Sequence, residues 1–272
     1  MAHNRDVNQM RQRPAATAAM GAALLTFVVA ACGSTSPAHD PSAPAGQSAP
    51  TLTAPPASTT LPAAPVTTTT TLLSGPNLRE GSTGPRVLRL QTRLTALGYW
   101  LGTPNGTFGD STEQAVYAFQ KAAGLTRDGV VGPKTAAALA TGAVPHPRST
   151  SGYVIEIDLS DDLMMFVTNG KLDHILNTST GGSYLYTVGK ATGVADTPVG
   201  VFHISRQVDG MVTDSLGQLW RPKFFYGGFA IHGDGYVPPY PVSHGCARVS
   251  NEAIDWIWAD QEAPIGTEVW VY

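Results

Sequence analysis

Cysteine is almost missing from this chain: its 272 residues hold two, Cys32 and Cys246. They lie in segments of opposite character, so a disulfide framework is excluded and Cys246 has no partner within the chain. Charge is scarce as well. Lys and Arg number 17 against 20 Asp and Glu, for a net charge of −3, and no basic run follows the first residues. Nucleic-acid binding is therefore not indicated. Long apolar runs are few, and the clearest, Ala15 to Ala31, is too short and too Ala-rich for a membrane span.

Proline, threonine and alanine, by contrast, are abundant, and their distribution divides the chain. Residues 1–32 carry Arg5, Arg11 and Arg13 ahead of that apolar run, a targeting pattern. Val29-Ala30-Ala31-Cys32 then reads as a lipobox, whose cysteine becomes the acylated N-terminus. A plain secretory signal is the alternative; either places the mature protein outside the cytoplasm, and the lipobox holds it on the outer face of the cytoplasmic membrane. Residues 33–76 are Pro, Ala, Ser and Thr, with Thr67 to Thr71 unbroken and too few apolar side chains for a core. They form a tether able to extend to roughly 130 Å.

Residues 77–143 change to a helical pattern. Val87, Leu90, Leu94 and Leu97 recur at helical spacing, and Val116 with Phe119 marks a second apolar face. An internal repeat aligns Asn105 to Thr112 with Asp128 to Thr135, each a glycine-punctuated turn leading into a helix. Asp110 is read as an N-cap with Glu113 completing a capping box, Pro133 as a first helical residue and Gly124 as a stop. The whole stretch resembles the three-helix peptidoglycan-binding domain, which implies glycan as a partner. Its separate core and the Pro-bearing linker after it predict a tethered module.

Residues 150–272 predict short strands: one from Tyr153, then Leu163 to Thr168, Lys171 to Thr178, Gly200 to Ser205, Phe229 to His232 and Thr267 to Tyr272. Asn169-Gly170 is a type I′ hairpin signal. One helix is expected after Ser250, with Ile254, Ile257 and Trp258 inward. The fold class is therefore α+β multidomain, a small helical domain ahead of a mostly β, sandwich-like domain.

The chemistry concentrates between Ala230 and Asn251, AIHGDGYVPPYPVSHGCARVSN. A lone cysteine with a histidine near it in the fold is a candidate nucleophile, because the imidazole takes the thiol proton. Gly245 leaves the approach to Cys246 clear. The N–H groups of His244, Gly245 and Cys246 are candidate oxyanion donors. Pro238, Pro239 and Pro241 stiffen a loop between base and nucleophile. A buried structural cysteine, or a metal site built from His232, Asp234, His244 and Cys246, are the competing readings; the spacing matches no common zinc pattern.

His232 followed by Ser243-His244-Gly245-Cys246, Arg248 and Asn251 resembles the signature of the L,D-transpeptidases of bacterial cell walls. Ala247 and Gly233 depart from its usual residues, and the Thr180-Gly181-Gly182 and Thr197-Pro198-Val199-Gly200 turns are similar to the family's. The resemblance implies a cysteine transpeptidase that forms 3→3 cross-links between peptidoglycan stem peptides through a thioester on Cys246, without metal or cofactor, and is acylated by carbapenems. It implies catalytic roles for Cys246, His232, His244 and Gly245, with the Gly233 carbonyl orienting the imidazole. Arg248, Ser243, Tyr226, Tyr240 and Asn251 are the expected substrate contacts. Tyr236 is a further pocket-wall candidate, Cys32 is the lipidation site, and a monomer is expected. An L,D-carboxypeptidase and a non-catalytic wall-binding lipoprotein are the alternatives.

Overall fold

A computed structural model describes residues 75–272; the lipobox, Cys32 and most of the tether lie outside the described residues. Helix α1 is Pro85–Ala96, α2 is Asp110–Ala122 and α3 is Pro133–Thr141. Both α1 and α3 begin on proline, whose fixed φ suits a first turn and whose missing N–H is not needed there. Asp110 is not the cap of α2. Gly109 occupies that position with no side-chain cap, and Asp110 and Glu113 sit inside the first turn, where their charge complements the helix dipole. Gly124 takes φ +62° just past α2, the left-handed stop its sequence position requires.

The repeat is built twice from the same parts. Gln91 donates to Asn105 Oδ1, Thr107 O and Thr112 Oγ1, and Gln120 donates to Asp128 Oδ1, Val130 O and Thr135 Oγ1. Each buried amide thus satisfies a glycine turn from inside, as burial of a polar group demands.

The strands form two five-stranded sheets and a hairpin. The first sheet has the order β3-β2-β1-β12-β6, from β1 (Tyr153–Asp158), β2 (Leu163–Thr168), β3 (Lys171–Asn177), β6 (Gly200–His203) and β12 (Glu268–Val271). The second has the order β11-β10-β9-β7, from β7 (Arg206–Gln207), β9 (Gly217–Tyr226), β10 (Phe229–Asp234) and β11 (Ala247–Ser250), with β8 (Met211–Asp214) pairing on β9. Strands β4 (Leu185–Val188) and β5 (Ala191–Val194) pair only with each other. Pairings β1·β12 and β10·β11 are parallel. The sheets face one another across Ile155, Phe166, Ile231, Val249 and Val269, with Ile254 and Ile257 of α4 (Asn251–Ala259) closing the layer. Ser250 caps α4 by accepting from Ala253 N, as its sequence predicts.

The core of the helical segment is not closed on itself but shared with the first sheet. Strand β2 reads LMMFV, buried at every one of those positions. Met164 and Phe166 face the sandwich, whereas Leu163, like Ile175 of β3, joins the core of α1, α2 and α3. The period of two explains the pattern: one face meets the second sheet and the other meets helices. Backbone at Gly98–Trp100 adds to the free edge of β3, with Ile175 N donating to Gly98 O and Trp100 N to Ile175 O. Trp100 also packs on Trp256 of α4 at 5.2 Å between centroids. The linker is held as well. Glu156, fully buried in β1, accepts from the N–H of Arg148 and Ser149 and from Tyr272 Oη. Burial alone would raise its pKa; these donors outweigh it and lower the value. The tethered-module expectation is therefore corrected.

Candidate active site

Parallel pairing of β10 and β11 builds the site. His232 is in register with Arg248, and Cys246 stands two residues before Arg248, so the period of two puts all three on one face. A bulge marks the place: between Ile231 and Gly233 strand β9 uses one more residue than β10. His232, Ser243, His244, Cys246 and Arg248 line one pocket, with Tyr186 from β4 and Asp214 to Leu219 from the β8–β9 hairpin completing the wall.

His232 is 3% exposed and its Nδ1 lies 2.8 Å from the Gly233 carbonyl. A carbonyl only accepts, so the neutral imidazole carries its proton on Nδ1 and leaves Nε2 as the base. Gly233 is required by space, since a Cβ there would stand 2.6 Å from Ile254 Cγ2 and 2.7 Å from Asn251 Oδ1. Burial pushes the His232 pKa down, and the Gly233 carbonyl opposes this only in part. Burial also pushes the Cys246 thiol up to about 11, against the lowering effects of the Ala230 backbone and Arg248. Both shifts favour the neutral pair, thiol and imidazole, in the free protein.

The turn before Cys246 is fixed from within. Gly245 has φ +128°, and a side chain there would collide with the Phe229 ring and Asp196 O. Ser243 Oγ donates to Cys246 O at 2.5 Å and accepts from Gly245 N at 2.9 Å. Two expectations change as a result: the Gly245 N–H is spent on Ser243, and the Ser243 hydroxyl is engaged inside the turn rather than offered to a substrate. Behind the turn, Ser243 N donates to Thr180 O, and Gly181 N donates to Thr197 Oγ1. The two turns that are weak as sequence signals therefore brace the nucleophile segment.

His244 contributes its ring, not only its backbone. It meets Tyr184 and Tyr186 edge-on, at 5.6 and 4.9 Å between centroids, tying the β4–β5 hairpin to the pocket. Arg248 Nε lies 3.3 Å from Asp234 Oδ2, an ion pair without hydrogen-bond geometry at that nitrogen. Three expected contacts lie outside the pocket. Tyr226 packs on Phe202 and Phe229, and Tyr240 hydrogen-bonds Tyr236 Oη at 3.0 Å on the exposed loop. Asn251 opens α4 beside a neighbouring cavity shared with Trp220 and Asp234. Only Tyr226 is a strand residue, at the end of β9; Tyr240 is held by the loop and Asn251 by the first turn of α4. Asp214 and the β8–β9 hairpin were not legible in the sequence, because polar residues around Gly210 and Gly217 give no strand alternation. Among the described residues no three His, Cys, Asp or Glu side chains gather as a metal site.

With this geometry in view, the chain matches the family described as L,D-transpeptidase catalytic domain over residues 152–271 and that described as putative peptidoglycan binding domain over residues 83–139. It is similar to the crystal structure of an L,D-transpeptidase (residues 123-326 of that protein) from Xylanimonas cellulosilytica, at 50% identity and TM-score 0.71, covering 73% of this chain and 98% of that one. The chain belongs to the L,D-transpeptidase family. Curated relatives match over shorter stretches. A probable N-acetylmuramoyl-L-alanine amidase of Bacillus licheniformis is 44% identical over 75 residues, 27% of this chain and 21% of that protein. A spore cortex-lytic enzyme of Halalkalibacterium halodurans is 39% identical over 74 residues, 27% and 22% of the two. The L,D-transpeptidase thus spans about a fifth of the length of these two.

The protonation states carry a test. Alkylation of Cys246 in this L,D-transpeptidase by iodoacetamide is expected to rise roughly tenfold per pH unit from 7 to 10, levelling near 11. Peptide mapping against pH checks it; a plateau reached by pH 7 would show a resident thiolate instead.

Proposed function

We propose that this chain joins peptidoglycan stem peptides by acyl transfer through Cys246, giving 3→3 cross-links. The observation that carries the reading is the imidazole of His232, its Nδ1 tied to the Gly233 carbonyl, sharing one pocket with Cys246. On substrate engagement Cys246 Sγ attacks the carbonyl between the L-centre of diaminopimelate and a terminal D-Ala, and the thiol proton passes to His232 Nε2. The S–C bond forms, the C–N bond breaks, and His232 returns the proton to the departing D-Ala amine. The side-chain amine of a second stem then displaces the thioester, and its proton leaves through the same imidazole. With Gly245 N committed to Ser243, the N–H groups of His244 and Cys246 remain as oxyanion donors. Arg248, already positioned by Asp234, binds a stem carboxylate.

The helical segment holds the enzyme on glycan, and a lipid on Cys32 with its tether holds it outside the cytoplasmic membrane. Two or three acyl chains give stable anchoring where one is marginal. Incubation of the purified protein with defined disaccharide-tetrapeptides, followed by mass analysis, tests the function. Dimers with a 3→3 linkage are the expected product. Tripeptide monomers alone would make water the acceptor and the enzyme an L,D-carboxypeptidase; unchanged substrate would leave a wall-binding protein.

A further inference from the structure

Lysine is seldom fully buried unless its nitrogen is matched, yet Lys121 of α2 is 2% exposed, inside the seam between helices and sheet. Its Nζ donates to Asp162 O at 2.8 Å and Thr178 O at 2.9 Å, the ends of the β1–β2 turn and of β3. From these two points short hydrogen-bonded routes lead to the nucleophile. The Asp162 carboxylate accepts from Thr180 Oγ1 at 2.6 Å, Thr180 O accepts from Ser243 N at 2.9 Å, and Ser243 Oγ closes on Cys246 O. By the second route, Thr178 Oγ1 donates to Arg248 O at 2.8 Å. The charges around Lys121 Nζ are Asp162, Asp161 and Arg127, the last two paired with each other at 3.5 Å.

We propose that Lys121 is a positioning residue for acylation: through Asp162 and Thr180 it sets the turn that presents Cys246 and its oxyanion donors, so the helical segment is part of the catalytic machinery. This rests on the cysteine reading above. A displacement of the turn by about an ångström is enough to slow an acyl transfer by up to ~100-fold.

The test uses the full chain, with imipenem as the acylating probe and intact-protein mass as the readout. Lys121→Met keeps the length and removes the donors. Its acylation rate at saturating imipenem is expected to fall at least about tenfold, with little change in the half-saturating concentration. Alkylation of Cys246 by iodoacetamide, which needs no oxyanion donors, should stay within about twofold; local unfolding would raise it. Thr180→Val removes one hydroxyl from the same route without emptying the lysine site, and should slow acylation about threefold or more. The double variant should be no slower than Lys121→Met alone, because Thr180 lies on a route the lysine change has already cut.

A folded Lys121→Met acylated at the wild-type rate overturns the proposal, as do multiplicative losses in the double variant. If Lys121→Met does not fold, Thr180→Val decides, and a wild-type rate there overturns it. A wild-type protein that takes no adduct on Cys246 would instead sink the cysteine reading, and this inference with it.

Discussion

Cys246→Ser is expected to leave no measurable thioester or carbapenem adduct and no cross-linked product. A serine hydroxyl is far less acidic than a thiol, and the base assigned here, His232, is a buried imidazole whose pKa is already lowered. Its orienting partner is the Gly233 carbonyl, a dipole rather than a carboxylate, so the imidazolium formed by deprotonating a hydroxyl would gain little. His232→Ala should retain a slow reaction, down by ~10²–10⁴-fold, because the thiol can still ionise at high pH. That residual rate should climb with pH toward about 11, where the thiol itself loses its proton. Intact mass with peptide mapping reads both variants. An adduct on any other residue, or full activity in Cys246→Ser, would end the assignment.

Removal of residues 75–143 is expected to cost the remaining chain most of its stability rather than merely its hold on glycan. The cut strips cover from Leu163 and Ile175, both now fully buried, and takes away Trp100, one of three rings that pack on Trp256. Exposing two large aliphatic side chains costs about 3–6 kcal/mol, comparable with the whole margin of a small domain. Asn177 also loses Gln114 Oε1, the shorter of its two acceptors at 2.7 Å, and keeps only Val237 O at 3.3 Å. Thermal or urea melting of residues 144–272 against the full chain is the measurement. Equal midpoints would show that the sheets stand alone and that the helical segment is separable after all.

Much of this was legible in the residues and some was not, for physical reasons. Asn169-Gly170 specifies its hairpin because both positions take positive φ, 51° and 78°, which few other pairs tolerate. Ser250 and Pro133 mark helix starts for equally local reasons. Strand β9 is hidden by Pro222, which forbids a ladder donor, and by a start on glycine and glutamine. The joint core was visible in principle: five successive buried apolar residues in β2 signal cover on both faces, whereas a sandwich with one wet side would alternate. At the site, it was the resemblance to a family motif that pointed to His232, Gly233 and Cys246. The hydroxyl of Ser243 was not legible, because which of two neighbours captures a turn's N–H depends on torsions that residue identity leaves open. Asp214 arrives from a hairpin that no motif announces.

The short run at Gly98–Trp100 has a consequence beyond packing. Strand β3 ends its sheet, and a bare sheet edge is a template on which any extended chain can assemble. By laying its own backbone along Ile175, the chain occupies part of that template and denies it to neighbours. An edge left open would invite strand-by-strand association. The helical segment acts, in this sense, as a built-in safeguard of solubility.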